Sequence, residues 1–238
     1  MENKSFEKVL QNQAQDFIKS CSLLVNGVEI LLKEIEVYYY EKGKYEDTYV
    51  HRNELQENNK YKFYVHRYGK EKDSPYKCAS TNNRGGCDFV MSDSEGVYFS
   101  YLIRSIVING ELTVGPRKSL NAILEKTGLQ CDQLEHANVE IKHIDKSNDV
   151  FLTPRIGLSD KEEGGKPFKE AELRFIICDE FFCQRDKTGT GYAMRTEAID
   201  NFLKKKLESK EMTKEQAVGY SNEWYKAVSK ELKDYKDF

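Results

Sequence analysis

Proline and tryptophan are scarce in this chain of 238 residues, with four Pro and one Trp, and glycine follows no fixed period, which excludes a collagen-like repeat. No apolar run approaches the ~20 residues needed to span a bilayer, so no transmembrane segment and no membrane partner is expected. The opening residues lack a basic patch leading into an uninterrupted hydrophobic stretch, so no secretory leader is expected. The six cysteines, Cys21, Cys78, Cys87, Cys131, Cys178 and Cys183, include no C-x-x-C pair. Neither the step from Cys78 to Cys87 nor that from Cys178 to Cys183 has the spacing of a chelating hairpin, so no metal is called for. They read as reduced, mostly buried thiols of a cytoplasmic protein. A large excess of one charge is missing too. The net charge of −3 argues against a strong nonspecific grip on nucleic acid, because phosphate binding is driven by Lys and Arg.

What is present is a globular composition: 39% hydrophobic and 32% charged residues, with 15 Tyr and 12 Phe. That mixture excludes a disordered tail and a simple coiled coil. A chain of this size buries roughly 70% of its unfolded surface, so no disulfide or metal staple is required. Helical periodicity marks both ends. Phe6, Val9, Leu10, Ala14, Phe17, Ile18 and Cys21 form one apolar stripe. A helix is predicted over 195–207, and Thr213-Lys-Glu-Gln216 reads as a capping box opening another to about residue 233. The middle is rich in β-branched and aromatic residues, and strands are predicted over 28–41, 61–68, 88–91, 96–109, 138–143 and 172–179. One helix interrupts them, from Pro116 to about Lys126, with Gly128 at its end. The expected architecture is a single α+β domain with a mainly antiparallel curved sheet and peripheral helices. Its layout would be an N-terminal helix over 1–25, a core over 26–180 and a C-terminal helical extension over 195–238 packed on that core.

Within the longest predicted strand, two-residue alternation puts Val28, Ile30 and Leu32 on one face, followed by Glu34, Glu36, Tyr38 and Tyr40. Leu31, Ile35, Val37 and Tyr39 then form the other face. A carboxylate beside aromatic rings is desolvated, which moves it toward the range of a general base; the alternative is a strand end leaving the core for water. Charge is also segregated along the core. Residues 29–59 carry eight acidic and four basic side chains, whereas 60–86 carry seven basic and two acidic. A near-neutral chain can present one basic face in this way.

The run Glu34-Ile-Glu36-Val-Tyr38, followed by Asp47-x3-His51, resembles the E-x-E-x-Y … D-x3-H signature of the alkyladenine (3-methyladenine) DNA glycosylases, with a loop four residues longer here. Further resemblances follow in the family's chain order. Phe63-Tyr-Val-His-Arg-Tyr68-Gly69 resembles a Y-V-Y-x-x-Y-G strand and turn, Leu102-Ile-Arg104 an L-L-R segment, and Gly115-Pro-Arg-Lys118 a G-P-G-K helix start. Thr153-Pro-Arg155-Ile-Gly157 resembles P-R-I/V-G, and Leu173-Arg174-Phe175 a closing R-F strand. Together these cover about residues 28–179.

The resemblance implies the methylpurine glycosylase fold and base excision repair: hydrolysis of the N-glycosidic bond of a damaged purine turned out of the duplex. It implies Glu36 as the base that activates water and Arg104 as the group orienting water and carboxylate. Tyr38 would stack on the flipped base, with His51 closing the opposite side. Tyr68 would be the wedge filling the vacated stack, with Gly115 and Lys118 at a helix start meeting DNA phosphate. The second pocket tyrosine of the family has no plain counterpart: alignment on Tyr68-Gly69 gives Val65, and a slip of one residue gives His66. The family's asparagine that crowds the amino group of guanine has its counterpart in Asp88, an acceptor-only group that would tolerate guanine lesions. Glu34 reads as structural. The implied protein is a monofunctional, cofactor-free, monomeric hydrolase acting on damaged double-stranded DNA in the cytoplasm, at the nucleoid. Two alternatives stand beside it: a noncatalytic nucleic-acid-binding module on the same fold, and an interaction protein recruiting a partner through its terminal helices.

Overall fold

In α1 (Glu2–Ser20) the predicted stripe is realised, with Leu10, Ala14, Phe17 and Ile18 all buried in the core. The stripe runs on to Cys21, but the helix does not. Cys21–Val25 is the first strand, β1, which folds back through Asn26-Gly27 onto β2 (Val28–Glu41). The predicted helical segment 1–25 is therefore a helix followed by a strand of the main sheet. The computed structural model describes residues 2–79, 85–144, 149–159, 162–178 and 208–209. Contacts divide the chain into Met1–Ile177 and Cys178–Phe238. The helices predicted over 195–207 and 213–233 lie outside the described residues, as does the extension they belong to apart from 208–209.

The first unit is α+β, a curled ten-stranded sheet ordered β4-β5-β6-β2-β1-β8 along its main path. The remaining strands are β3 (Tyr45–Glu46), β4 (Phe63–Val65), β5 (Cys87–Val90), β6 (Val97–Ile108), β7 (Glu111–Val114), β8 (Val139–His143), β9 (Asp149–Thr153) and β10 (Arg174–Cys178). β3 and β10 join β2, β7 joins β6, and β9 joins β10. Between β8 and β6 lie α2 (Pro116–Thr127) and α3 (Cys131–His136) in sequence order, and α4 (Lys166–Glu170) precedes β10. Proline opens α2 and Gly128 closes it at φ 70°, a left-handed conformation that favours glycine. The strand predicted over 61–68 is shorter, β4 at Phe63–Val65, and at its start Tyr61 sits at φ 65°, outside the extended region. Among the described residues no helix is long and apolar enough to cross a membrane.

The strand pair β2 and β6 is the spine, and it departs from regular pairing at one place. Its register shifts between Leu32 and Glu34 and again between Glu34 and Ile35. The extra residue flips the phase of alternation. Ile30 and Leu32 before it, and Ile35, Val37 and Tyr39 after it, all enter one core. On β6 the phase changes at the same point, with Tyr101 and Ile103 followed by Ile106 and Ile108. This corrects the uniform face read from the sequence: Val28, Ile30 and Leu32 do not share a side with Glu34, Glu36 and Tyr38. A bulge does this to a strand whose length would otherwise be read as unbroken alternation.

The bulge is also where the neighbours of the spine change. β1 pairs with β2 up to Leu31, and β10 pairs with it from Glu34. β5 pairs with β6 at residues 100–102, and β7 from Ser105. Lys33, Glu34, Arg104 and Ser105 are buried at this fork. Glu34 Oε1 accepts from Arg104 Nε at 3.0 Å and from Arg174 Nε at 2.7 Å, while Oε2 accepts from Ser105 Oγ at 2.6 Å. Removing one partner from a buried ion cluster leaves the other charges uncompensated. Glu34→Gln is expected to lower unfolding stability by about 3–5 kcal/mol, measured by urea denaturation; a loss under about 1 kcal/mol, the size of a surface pair, would show that the cluster is not a structural centre.

Candidate functional site

Alternation on four strands sends polar and aromatic side chains to the side of the sheet opposite the α1-covered core. Ile35, Val37 and Tyr39 face α1, so Glu36 and Tyr38 face away. Phe63 and Val65 face the core, so Tyr64 and His66 face away; Cys87 and Phe89 leave Asp88 there, and Tyr101 and Ile103 leave Ser100 and Arg104. A cavity of about 130 Å³ opens on this side, lined by Tyr38, Tyr49, His51, Gln56, His66, Lys77 and Asp88. Four of the residues expected at a base pocket, Tyr38, His51, His66 and Asp88, thus meet in one place. The choice between Val65 and His66 is decided by alternation: Val65 is fully buried in the core, and His66 reaches the cavity.

Behind Tyr38 sits Glu36, completely buried. Glu36 Oε1 pairs with Arg104 Nη1 at 3.1 Å and accepts from the Ile156 amide at 3.1 Å; Oε2 accepts from the Tyr38 hydroxyl at 2.9 Å. Burial and the adjacent Glu36 carboxylate push the Tyr38 phenol well up, so it stays protonated and donates. For Arg104, burial works against the charged form, but the Glu36 and Glu34 carboxylates outweigh it. The Tyr38 ring is backed by Arg155, whose guanidinium lies 4.5 Å from the ring centroid. Arg155 Nη1 in turn donates to Val37 O at 3.1 Å and to Asp47 Oδ2 at 2.6 Å. Asp47, part of the motif that singled out His51, is therefore a buried support that acts through Arg155 on the Tyr38 ring.

On the facing wall, Asp88 holds His66. Asp88 Oδ1 lies 2.6 Å from His66 Nε2, and Oδ2 accepts from Ser100 Oγ at 2.8 Å and Gln56 Nε2 at 2.9 Å. Burial would raise the Asp88 carboxyl, but His66, Ser100 and Gln56 together carry it below the usual carboxylate range. This alters the role expected for Asp88. With Oδ2 carrying two donors and Oδ1 one, most of its acceptor capacity is taken up within the protein. His51 closes the cavity with its Nδ1 against the Tyr64 hydroxyl. Burial, then the charges of Lys77 and His66, lower its pKa to about 4.

The residues expected to touch DNA are distributed differently. Tyr68 is 54% exposed, two residues beyond His66, as an inserting wedge requires. Gly115 stands at the start of α2, but its amide donates to Arg104 O at 2.6 Å, and the Pro116 that follows has no N–H. Any phosphate contact at this helix start therefore falls to the amides beyond Pro116. Lys118 is half-buried in the first turn of α2 and is not part of the cavity wall. Among the described residues, no group of His, Cys, Asp and Glu is arranged to hold a metal ion.

Tyr49, Gln56 and Lys77 also line the cavity and were not picked out from the sequence. Gln56 did leave a signal. Asn53-Glu-Leu-Gln56 has the capping-box spacing, and both reciprocal bonds form, Leu55 N to Asn53 Oδ1 at 3.0 Å and Asn53 N to Gln56 Oε1 at 3.0 Å. The same Asn53 donates to Gly69 O and Glu71 O, at 3.1 and 3.0 Å. One short turn thus braces both the cavity wall and the loop carrying Tyr68.

Over 199 residues, 72% of this chain and 87% of the relative, the sequence is 30% identical to uncharacterized protein L759 of Acanthamoeba polyphaga mimivirus. The chain belongs to that protein's family. No protein-family profile matches it. The relative's name assigns no activity.

The low pKa of His51 has a consequence for stability. Its ordinary value is 6.5, so between pH 6.5 and about 4 the unfolded chain takes up a proton that the folded chain refuses. The contribution of His51 to stability is full above 6.5 and is lost as the pH drops through that window. In urea unfolding series across it, His51→Asn is expected to show a shallower decline than the parent. Equal slopes would mean that His51 titrates normally in the folded chain.

Proposed function

We propose that the protein is a DNA repair glycosylase of the alkyladenine type, releasing an alkylated or deaminated purine from double-stranded DNA after base flipping. The observation that supports this reading most is the cavity wall: Tyr38 and His51 line one cavity, and Glu36, bonded to Arg104 and to Tyr38, lies directly behind it. A flipped base needs aromatic faces to replace its lost stacking, and the sugar bond needs a carboxylate that takes a proton from water. In the proposed reaction, water attacks the anomeric carbon as its proton passes to Glu36. The N-glycosidic bond breaks, the base departs and an abasic sugar remains. Arg104, with Nη1 3.1 Å from Glu36 Oε1, aims the carboxylate. No lysine nucleophile takes part in this route, so the strand is not cut. Tyr68 fills the gap in the stack, which suits its exposure and its place in the basic stretch 60–86. In this reading the protein works as a monomer in the cytoplasm, at the nucleoid.

The cavity, about 130 Å³, is close to the ~150 Å³ that accommodates benzene. That is the volume of one ring of a purine. The remaining lone pair of Asp88 Oδ1 gives an exocyclic amine one place to donate, so guanine lesions are included among the substrates. One observation favours a second reading, a noncatalytic nucleic-acid-binding module. Glu36 is completely buried with hydrogen bonds to both oxygens, and a water must pass the side chains that enclose it to reach it.

Duplex oligonucleotides carrying hypoxanthine or ethenoadenine separate these readings. The parent is expected to release the base, and Glu36→Gln to be slower by at least about 10²-fold, the usual contribution of a positioned general base, at unchanged salt-dependent affinity. Binding without release by the parent would favour the second reading. No binding even at low salt would remove both.

A further inference from the structure

We propose that Cys78 and Cys131 form an oxidisable thiol pair, a modification site at which a hydroperoxide joins the two side chains as a disulfide. The proposal is independent of the glycosylase reading, which uses neither residue. Far apart in sequence, the two sulfurs lie 3.3 Å apart in the fold. Both thiols are half-buried, whereas Cys87 beside them is completely buried. An S–S bond is about 2.05 Å long, so the sulfurs need to close by little more than an ångström, a distance within reach of side-chain torsions.

Both ends of the pair rest on braced backbone. Cys78 lies in the short helical turn Lys77–Ala79, whose first amide, that of Lys77, donates to His66 O at 2.8 Å. Cys131 is the first residue of α3, which is held on its N-terminal side by the Gln130 and Gln133 capping box. Glu135 of the same helix accepts from the Val65 amide at 2.9 Å and from the Tyr76 hydroxyl at 2.8 Å, and pairs with Arg67. The two sulfurs are therefore set opposite each other by strand β4 and its loop on one side and by α3 on the other. Random surface cysteines have no such restraint.

Burial and the hydrogen bond with Cys78 push the Cys131 thiol up, and either sulfur of the pair can attack first. The thiolate of one cysteine attacks one oxygen of hydrogen peroxide, the O–O bond breaks, and water leaves after protonation, giving a sulfenic acid. The sulfur of the other cysteine then attacks that sulfur as its own proton is lost, the S–O bond breaks and a second water leaves. Two thiols and one peroxide become one disulfide and two waters. Because Lys77 lines the cavity and adjoins Cys78, the bond fastens the cavity wall to α3.

The test treats the full chain with hydrogen peroxide at neutral pH, blocks residual thiols with iodoacetamide and maps the digested peptides by mass. The expected product is one species joining the Cys78 and Cys131 peptides, lighter than their sum by two hydrogens and separated again by dithiothreitol. Cys78→Ser and Cys131→Ser should each abolish it, and Cys87→Ser should leave it. Overoxidation of either cysteine beside its alkylated partner, a link from either to any other cysteine, or no oxidation at all would overturn the proposal. Mapping the unaltered chain decides the matter even where a serine variant folds poorly.

Discussion

Glu34 and Glu36 stand two residues apart on the central strand with almost no access to water, and each ion moved into such a place costs several kcal/mol unless it is paired. Arg104 reaches both carboxylates and Arg174 reaches the first. The surrounding topology is what lets this happen. The bulge at Lys33 and Glu34, the phase change at Arg104 and Ser105, and the replacement of β1 by β10 along β2 all occur at the same level of the sheet. Unbroken alternation from Ile30 and Leu32 would have carried both Glu34 and Glu36 into the apolar face under α1. The irregularity instead keeps Ile and Val on one side through its whole length and gathers the charges on the other.

From that cluster the order spreads outward in steps. Glu36 fixes the Tyr38 hydroxyl, Arg155 backs the Tyr38 ring, and Asp47 ties Arg155 down. Across the cavity, Gln56 and Ser100 hold Asp88, which holds His66. The Tyr38 and His66 rings are thus each held by a hydrogen-bonded carboxylate, Glu36 in one case and Asp88 in the other. Such preorganisation is what a recognition site for a planar guest requires. It also means that polar substitutions behind the wall act through the rings they position.

Much of this was readable along the chain. The long strand 28–41 was bounded to the residue, since a run of β-branched and aromatic residues follows the turn at Asn26-Gly27. The short-range motif Glu34-x-Glu36-x-Tyr38 correctly grouped residues that share a face. The alternation argument failed only across Lys33, because a bulge is set by what the partner strand and the buried charges demand, and neither is visible within one strand. Short elements escaped for a related reason. β1, β3, β7 and α3 span two to six residues each, too few for a period to declare itself, and they exist because neighbouring strands complete their hydrogen bonds. The roles of Asp88 and Gly115 changed for the same cause: their partners, His66 with Gln56 and Ser100 in one case and Arg104 O in the other, are distant in sequence.

The sequence by itself determined the α+β class, the spine strand, the apolar stripe of α1, the capped helix α2 and the set of aromatic and acidic side chains at alternate positions, because each follows from contacts within a few residues. Tertiary structure decided which side of the sheet those side chains face, that His66 and not Val65 reaches the cavity, that Glu36 is sealed beneath Tyr38, and that Cys78 and Cys131 meet. All of these depend on register between strands and on ion pairing across the chain. A shift of one residue in either would reverse the faces while leaving the composition, the motifs and the net charge as they are.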